Sequence, residues 1–144
     1  MQALIYIDGG ARGNPGPAAA GVCITTPDGS EPVHEAGYWL GELTNNEAEY
    51  QGLLHALKAA SELGFESILV RSDSELMVKQ IKGEYRVKAA NLKPLFVTAR
   101  ERLAGFADWA IEHVRRDKNK RADQLANLAM DAGRDVIETG ATSD

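Results

Sequence analysis

The chain has 144 residues, of which 44% are hydrophobic and 26% charged, and its formal net charge is −5 at pH 7. This composition is typical of one globular domain that can bury a core, and it excludes a disordered or collagen-like chain. The lone Cys23 excludes an intramolecular disulfide and suits a reducing compartment. The first residues carry no basic leader, and no apolar run approaches the ~18 residues that span a bilayer. We therefore expect a cytoplasmic protein without a membrane partner.

The first half of the chain predicts strands. The apolar run 3–8 predicts a buried strand, and the glycine-rich segment 9–17 predicts a loop. Segments 21–26 and 33–40 predict two more strands, joined through the turn signal Pro27-Asp28-Gly29. These three strands should form an antiparallel meander.

A helix then begins at a well-marked site. Thr44-Asn45-Asn46-Glu47 fits a capping box, with Thr44 as the N-cap and Glu47 reaching back to it. The apolar positions that follow have helical spacing and predict one buried face, made of Tyr50, Leu53, Leu54, Leu57 and Ala60.

The second half predicts alternating strands and helices. Segment 67–72 predicts a strand parallel to the first, because a helical crossover precedes it. The remaining elements are a helix opened by Ser72-Asp73-Ser74-Glu75, a connector over 83–91, a helix over 92–103, a strand over 108–114 and a helix over 121–132. The sequence thus predicts an α/β fold with a mixed five-stranded sheet and helices on both faces. We expect one domain over 1–132 and a flexible tail over 133–144.

Four carboxylates stand where these elements begin or end, namely Asp8, Glu49, Asp73 and Asp123. Three of them follow or open apolar segments, where a charge is costly unless it is paired or binds a metal. Each alone has an ordinary explanation, such as a helix-start acid favoured by the helix dipole. Glu47 competes with Glu49, although the capping box gives Glu47 a structural role. Four acids without nearby thiols predict a hard-cation site for Mg²⁺ or Mn²⁺.

Cations crowd the segment just before Asp123, at Arg115, Arg116, Lys118, Lys120 and Arg121. Such a cluster is usually a solvated loop, but beside a carboxylate site it suits a polyanionic substrate. His113 closes the last predicted strand. A histidine there is usually structural, and its place near Asp123 also suits a proton-shuttle role.

The segment Gly9 to Gly16 is similar to a dinucleotide-phosphate loop. A predicted strand rather than a helix follows it, so we interpret it as a turn between strands. This turn holds backbone amides and Asn14 close to Asp8, where they suit a sugar-phosphate backbone.

Taken together, these segments resemble the type 1 ribonucleases H over about residues 3–131. The motifs that carry the resemblance are Tyr6-Ile7-Asp8-Gly9-Gly10 with Gly13-Asn14-Pro15-Gly16, Thr44-Asn45-Asn46-Glu47-Ala48-Glu49, Ser72-Asp73-Ser74, and His113 followed by Asn119-Lys120-Arg121-Ala122-Asp123-Gln124-Leu125-Ala126. The resemblance makes Glu49, not Glu47, the catalytic glutamate.

The resemblance implies an endonuclease that cuts the RNA strand of RNA–DNA hybrids and leaves 3′-hydroxyl and 5′-phosphate ends. Two Mg²⁺ ions, or Mn²⁺ in their place, would lie at the four carboxylates and support in-line displacement. His113 would assist proton movement or product release. Positions matching the family's contacts to the minor groove and the ribose 2′-hydroxyls are Gly9, Gly10, Ala11, Asn14 and Asn45. Positions near the DNA strand are Thr44 and Asn46.

Two features depart from the family pattern. Glu75 stands where many members have a glutamine, which puts one ribose contact in doubt. The short connector over 82–91 replaces the basic, tryptophan-rich protrusion of many bacterial members and is similar to that of compact archaeal-type members. We expect weaker binding of the hybrid with a shallow salt dependence. More of that binding would fall to Arg86, Lys88, Arg115 and Arg116.

Two other functions compete with this one. A 3′–5′ exonuclease of related fold also uses acidic residues and two metals, but the Thr-Asn-Asn-x-x-Glu and Asn-Pro-Gly motifs argue against it. A catalytically silent hybrid-binding module would have no use for a costly cluster of like charges. Double-stranded RNA is a further substrate of some compact relatives. We expect a monomer.

Overall fold

A computed structural model describes residues 2–139. It contains six strands, four α-helices and one short 3₁₀ turn, Arg116–Lys118. The strands are β1 (Gln2–Ala11), β2 (Gly16–Thr25), β3 (Pro32–Leu43), β4 (Ser67–Ser72), β5 (Asp108–His113) and β6 (Val136–Thr139). The helices are α1 (Asn45–Glu62), α2 (Glu75–Ile81), α3 (Lys93–Ala104) and α4 (Lys120–Ala132). Within the described range, no helix combines the length and apolar character needed to cross a membrane.

The strands form one mixed sheet in the order β5-β4-β1-β2-β3-β6. β1, β2 and β3 pair as an antiparallel meander, whereas β4 and β5 run parallel to β1. This arrangement confirms the predicted α/β class and the predicted mixture of strand directions. The connector 82–92 contains turns but no helix, as expected for a chain without the protrusion.

Two predictions about the chain's irregular segments were wrong. Residues 136–139, expected in a flexible tail, form β6 and pair antiparallel with β3, which makes six strands rather than five. The segment is too short to show a period, but it covers the open edge of β3. The rest of the expected tail, 140–144, lies outside the described residues. The loop expected over 9–17 shrinks to 12–15, because residues 9–11 continue the ladder with residues 18–20.

The helices pack on both faces of the sheet, as predicted. On one face α1 contacts β1 and β2, and α2 and α3 pack beside it over a buried aliphatic core. On the other face α4 lies against β2 and β3. Glycines permit this approach, since a Cβ at Gly21 would clash with the carbonyl oxygen of Ala122 and one at Gly37 with that of Leu125. The beginning of α4 is thereby held close to the sheet.

Candidate active site

The four predicted carboxylates converge at one edge of the sheet. β1 and β4 are parallel neighbours whose registered pair Ile7 and Ser72 lies directly before Asp8 and Asp73. Parallel strands end at the same edge, so these two carboxylates meet there. The first turns of α1 and α4 reach the same edge and add the carboxylates of Glu49 and Asp123.

Three of the carboxylates form a tight group. One oxygen from each of Asp8, Glu49 and Asp73 lies within 4.8 Å of the other two. Asp123 is more exposed and lines the same cavity of about 450 Å³, where its side chain lies within hydrogen-bonding reach of Asp8. The structure therefore brings together all four predicted acids.

Burial and the crowding of these acids disfavour the charged forms of Asp8 and Glu49. Burial first, and then the charges of Asp73 and Asp123, raise the pKa of Asp8 from its ordinary 3.8 to about 8. Burial and the charge of Asp8 raise the pKa of Glu49 well above its usual range. Among residues 2–139, the buried oxygens Glu49 Oε2 and Asp73 Oδ2 find no hydrogen-bond partner. An all-oxygen donor set with raised pKa values and unsatisfied lone pairs fits a hard divalent cation.

Glu49 is positioned by a hydrogen bond from β1 and by the helix cap that precedes it. The backbone amide of Gly9 donates a 3.2 Å hydrogen bond to Glu49 Oε1. The predicted capping box is confirmed, because Thr44 Oγ1 accepts from the Glu47 amide at 3.2 Å and Glu47 Oε1 accepts from the Thr44 amide at 2.9 Å. Glu47 is thus occupied by the helix terminus, which leaves Glu49 directed at the cavity.

Asn119 positions the fourth carboxylate, a role that sequence reasoning missed. Its side-chain Nδ2 donates a 2.7 Å hydrogen bond to the carbonyl oxygen of Ile7, next to Asp8. The backbone carbonyl oxygen of Asn119 accepts from the backbone amide of Asp123 at 3.1 Å. The side chain is buried, with an exposure of 1%. The available signal was an asparagine four residues before the acid, at the start of a helix.

The predicted substrate-binding residues divide into two groups. Those that line the carboxylate cavity are Gly9, Gly10, Ala11, Asn45, Asn46 and Arg116. Those that lie elsewhere are Asn14 in the glycine-rich loop, Arg86 and Lys88 in the α2–α3 connector, Thr44 at the helix cap, and Arg115, which pairs with Asp117 at 3.5 Å.

Asn14 and Asn45 tie the glycine-rich loop to α1. Asn14 Oδ1 accepts from the backbone amide of Asn45 at 2.9 Å, and Asn45 Oδ1 accepts from the amide of Ala11 at 2.8 Å. Both side-chain oxygens are therefore engaged within the chain. Their Nδ2 groups are the donors that remain for a ligand.

The predicted proton carrier does not reach the cavity. His113 is exposed at the end of β5, opposite Ser72, and it is absent from the cavity lining within residues 2–139. Arg116 lines the cavity instead, with Nε 3.7 Å from Asp73 Oδ2. Sequence reasoning also missed three lining residues that show no periodic signal, Arg12, Asn127 and Met130.

A mixed sheet of this topology, with carboxylates from β1, α1, α4 and the residue after β4 in one cavity, is the architecture of proteins of ribonuclease H-like fold. A family model described as "Reverse transcriptase-like" matches residues 6–129. The ribonuclease HI of Halobacterium salinarum is 49% identical over 126 residues, which cover 88% of this chain and 63% of that protein. The chain therefore belongs to the type 1 ribonuclease H family.

Solved structures agree with this membership. The crystal structure of RNase H1 from Halobacterium salinarum matches with a TM-score of 0.89 and 47% identity, over 92% of this chain and 99% of that one. The N-terminal RNase H domain of Rv2228c from Mycobacterium tuberculosis matches with a TM-score of 0.88 and 42% identity, over 92% of this chain and 95% of that one. LC11-RNase H1, solved in complex with an RNA/DNA hybrid, matches with a TM-score of 0.86 and 41% identity, over 91% of this chain and 98% of that one. The chain spans 63% of the curated Halobacterium protein and 36% of the bifunctional protein Rv2228c.

Proposed function

We propose that the chain is an endonuclease that hydrolyses the RNA strand of RNA–DNA hybrids and leaves 3′-hydroxyl and 5′-phosphate ends. The observation that carries this proposal is the convergence of Asp8, Glu49 and Asp73 within 4.8 Å, with Asp123 in the same cavity. The RNA/DNA hybrid in the complex of LC11-RNase H1, which is 41% identical, supports the substrate.

The proposed cofactor is a pair of divalent ions, Mg²⁺ or Mn²⁺, held by Asp8, Glu49, Asp73 and Asp123. These four carboxylates would hold the ions, which would supply Lewis acidity for an in-line displacement at the scissile phosphate. The chain contributes four preplaced carboxylates whose mutual repulsion favours cation binding. The hydrogen bond from the Gly9 amide holds Glu49, and the one from Asn119 to the Ile7 carbonyl fixes the strand residue next to Asp8.

Arg116 and the two asparagines are the proposed contacts to substrate at this site. The Arg116 guanidinium is 88% exposed beside Asp73, where it suits a phosphate oxygen of the strand to be cut. The Nδ2 groups of Asn14 and Asn45 suit the minor groove and the ribose 2′-hydroxyls, the group that distinguishes RNA from DNA. His113 remains a proposed assistant in proton movement from its place at the end of β5.

The deciding assay uses a DNA duplex with an internal RNA segment in one strand, Mg²⁺, and the variant Asp8→Asn. Internal cuts that Asp8→Asn abolishes, with 3′-hydroxyl and 5′-phosphate ends, are the expected result. The matched control Glu101→Gln removes an exposed acid on α3 and should cut normally. Trimming from the ends only would indicate an exonuclease, and binding without cleavage a silent module.

We also propose weak binding of the hybrid, with Arg86, Lys88 and Arg115 adding phosphate contacts outside the cavity. Binding should then weaken with salt along a shallow slope, and a steep slope would contradict this proposal. Double-stranded RNA is the second substrate to test. A monomer in a reducing cytoplasm is the proposed setting, consistent with a buried free thiol at Cys23.

A further inference from the structure

Arg12 lines the wall of the carboxylate cavity. It follows the last residue of β1, and its backbone amide donates to the carbonyl oxygen of Pro17 at 2.8 Å. Gly16 packs against the Arg12 carbonyl so closely that a Cβ there would clash with it. The backbone of Arg12 is therefore fixed by the β1–β2 hairpin, and only its side chain is free to move.

The Arg12 side chain is held loosely. Its Nη2 lies 2.7 Å from Asp131 Oδ1 and 3.3 Å from Asn127 Oδ1, both on α4. The two partners of the ion pair are 49% and 66% exposed, and exposed ion pairs of this kind contribute little to stability. An incoming anion can replace Asp131 as the partner of this guanidinium at small cost.

The distribution of cations around the cavity indicates a role for the Arg12 side chain in binding an anion. Among residues 2–139, the cations that line the cavity are Arg12 and Arg116. Arg116 contacts Asp73 at the end of β4, whereas Arg12 contacts α4 next to the β1–β2 hairpin. The two guanidiniums thus reach the same cavity from different elements. A polyanionic strand that crosses the acids places phosphates on both sides of the cut.

We propose that Arg12 binds a backbone phosphate of the cleaved strand next to the scissile one, exchanging Asp131 for the phosphate. The inference rests on the proposed function, since it takes the RNA strand to lie over the carboxylates. A guanidinium matches two phosphate oxygens with two parallel hydrogen bonds, which an ammonium group does not. Arg12 would set the register of the strand over the cavity.

The test measures the Kd of an RNA–DNA hybrid against NaCl concentration with Mg²⁺ present, in an Asp8→Asn background that leaves the hybrid uncut. Arg12→Gln should bind about tenfold more weakly and lower the slope of log Kd against log salt by about 0.9, the value for one phosphate contact. Arg12→Lys should keep the slope while binding less tightly than arginine.

Asp131→Asn in the same background is the matched control, because it breaks the ion pair but leaves Arg12 in place. It should bind as tightly as its parent or more tightly, with an unchanged slope. If Arg12→Gln and Asp131→Asn weaken binding equally, Arg12 only fastens the loop to α4 and the proposal is overturned. An unchanged slope in Arg12→Gln overturns it as well. Thermal melting shows that each variant is folded, and hybrid cleavage by the unmodified chain tests the proposed function separately.

Discussion

The side chain of Asn119 donates a 2.7 Å hydrogen bond to the carbonyl oxygen of Ile7, across 112 positions of the chain. The bond connects the beginning of α4 to the strand residue directly before Asp8. Because the Asn119 carbonyl also accepts from the Asp123 amide, one residue joins the two elements that carry Asp8 and Asp123. The separation of these carboxylates therefore depends on a side chain whose hydrogen bond goes to the Ile7 carbonyl and not to either carboxylate.

Asn119→Ala should destabilise the fold and slow catalysis together. The substitution leaves the Ile7 carbonyl without its partner, a loss of about 1–3 kcal/mol in the free energy of unfolding. Looser placement of Asp123 should lower kcat roughly tenfold with little change in KM. Urea unfolding and steady-state hybrid cleavage measure the two effects. Gln124→Ala, on the exposed side of the same helical turn, is the control, and equal losses in the two variants would contradict the positioning role.

Gly9→Ala should be far more damaging than Gly10→Ala. A Cβ at Gly9 would clash with the backbone of Ala48 and lie 2.6 Å from the amide nitrogen of Glu49, so β1 and α1 would have to separate. The expected loss of unfolding free energy is about 3 kcal/mol, as for an overpacked core. At Gly10 the nearest atom to such a Cβ is Asn45 Oδ1, 3.9 Å away, and stability should hold. Similar melting temperatures for both variants would disprove the close β1–α1 packing.

Arg116→Ala should lower kcat more than His113→Ala does. Arg116 lines the cavity beside Asp73, whereas His113 lies exposed at the end of β5. Loss of a cation near developing charge costs roughly 10- to 100-fold in rate. Steady-state hybrid cleavage by the two variants measures the effects, and a larger loss of kcat in His113→Ala than in Arg116→Ala would instead assign the main role to the histidine.

The stability of the metal-free protein should fall as pH rises from about 4 to about 8. The folded pKa of Asp8 is raised from 3.8 to about 8, so in this window the folded chain holds a proton that the unfolded chain has lost. The contribution is fully present below the unfolded pKa and lost as pH passes the folded one. Melting in EDTA should show this decline, and Asp8→Asn should reduce it. An equal decline in the variant would show that Asp8 is not its source.

Mg²⁺ should raise the melting temperature more at pH ~8 than at pH ~5. At pH ~8 the Asp8 carboxyl, whose pKa is raised to about 8, has begun to lose its proton and can be held ionised by a cation, whereas at pH ~5 a proton still occupies the same oxygens. The measurement is a melting curve with Mg²⁺ at each pH, and NaCl at the same ionic strength is the control for charge screening. A stabilisation independent of pH would place the ion elsewhere on the protein.

The sequence by itself determined the helices, the strand directions and the four acids. The capping box at Thr44 and Glu47 could be predicted because it depends on residues three positions apart, and its hydrogen bonds are present. Asp8 and Asp73 could be predicted because a charge at the end of an apolar strand needs a partner wherever the strand lies, whereas the choice of Glu49 over Glu47 came from the family resemblance. Patterns among residues that are close in sequence can be interpreted without knowledge of the fold.

Only the tertiary structure decided which other side chains reach the cavity. Arg12, Asn119 and Arg116 reach their partners through the packing of α4 and the loops on the sheet, and Arg12 lies 119 positions from Asp131. β6 was missed because four residues show no period, and its pairing with β3 exists only once the edge of β3 is formed. His113 had the expected spacing from Asp123, yet its strand leaves it exposed outside the cavity. Spacing along the chain predicts elements, whereas distances between elements depend on how they pack.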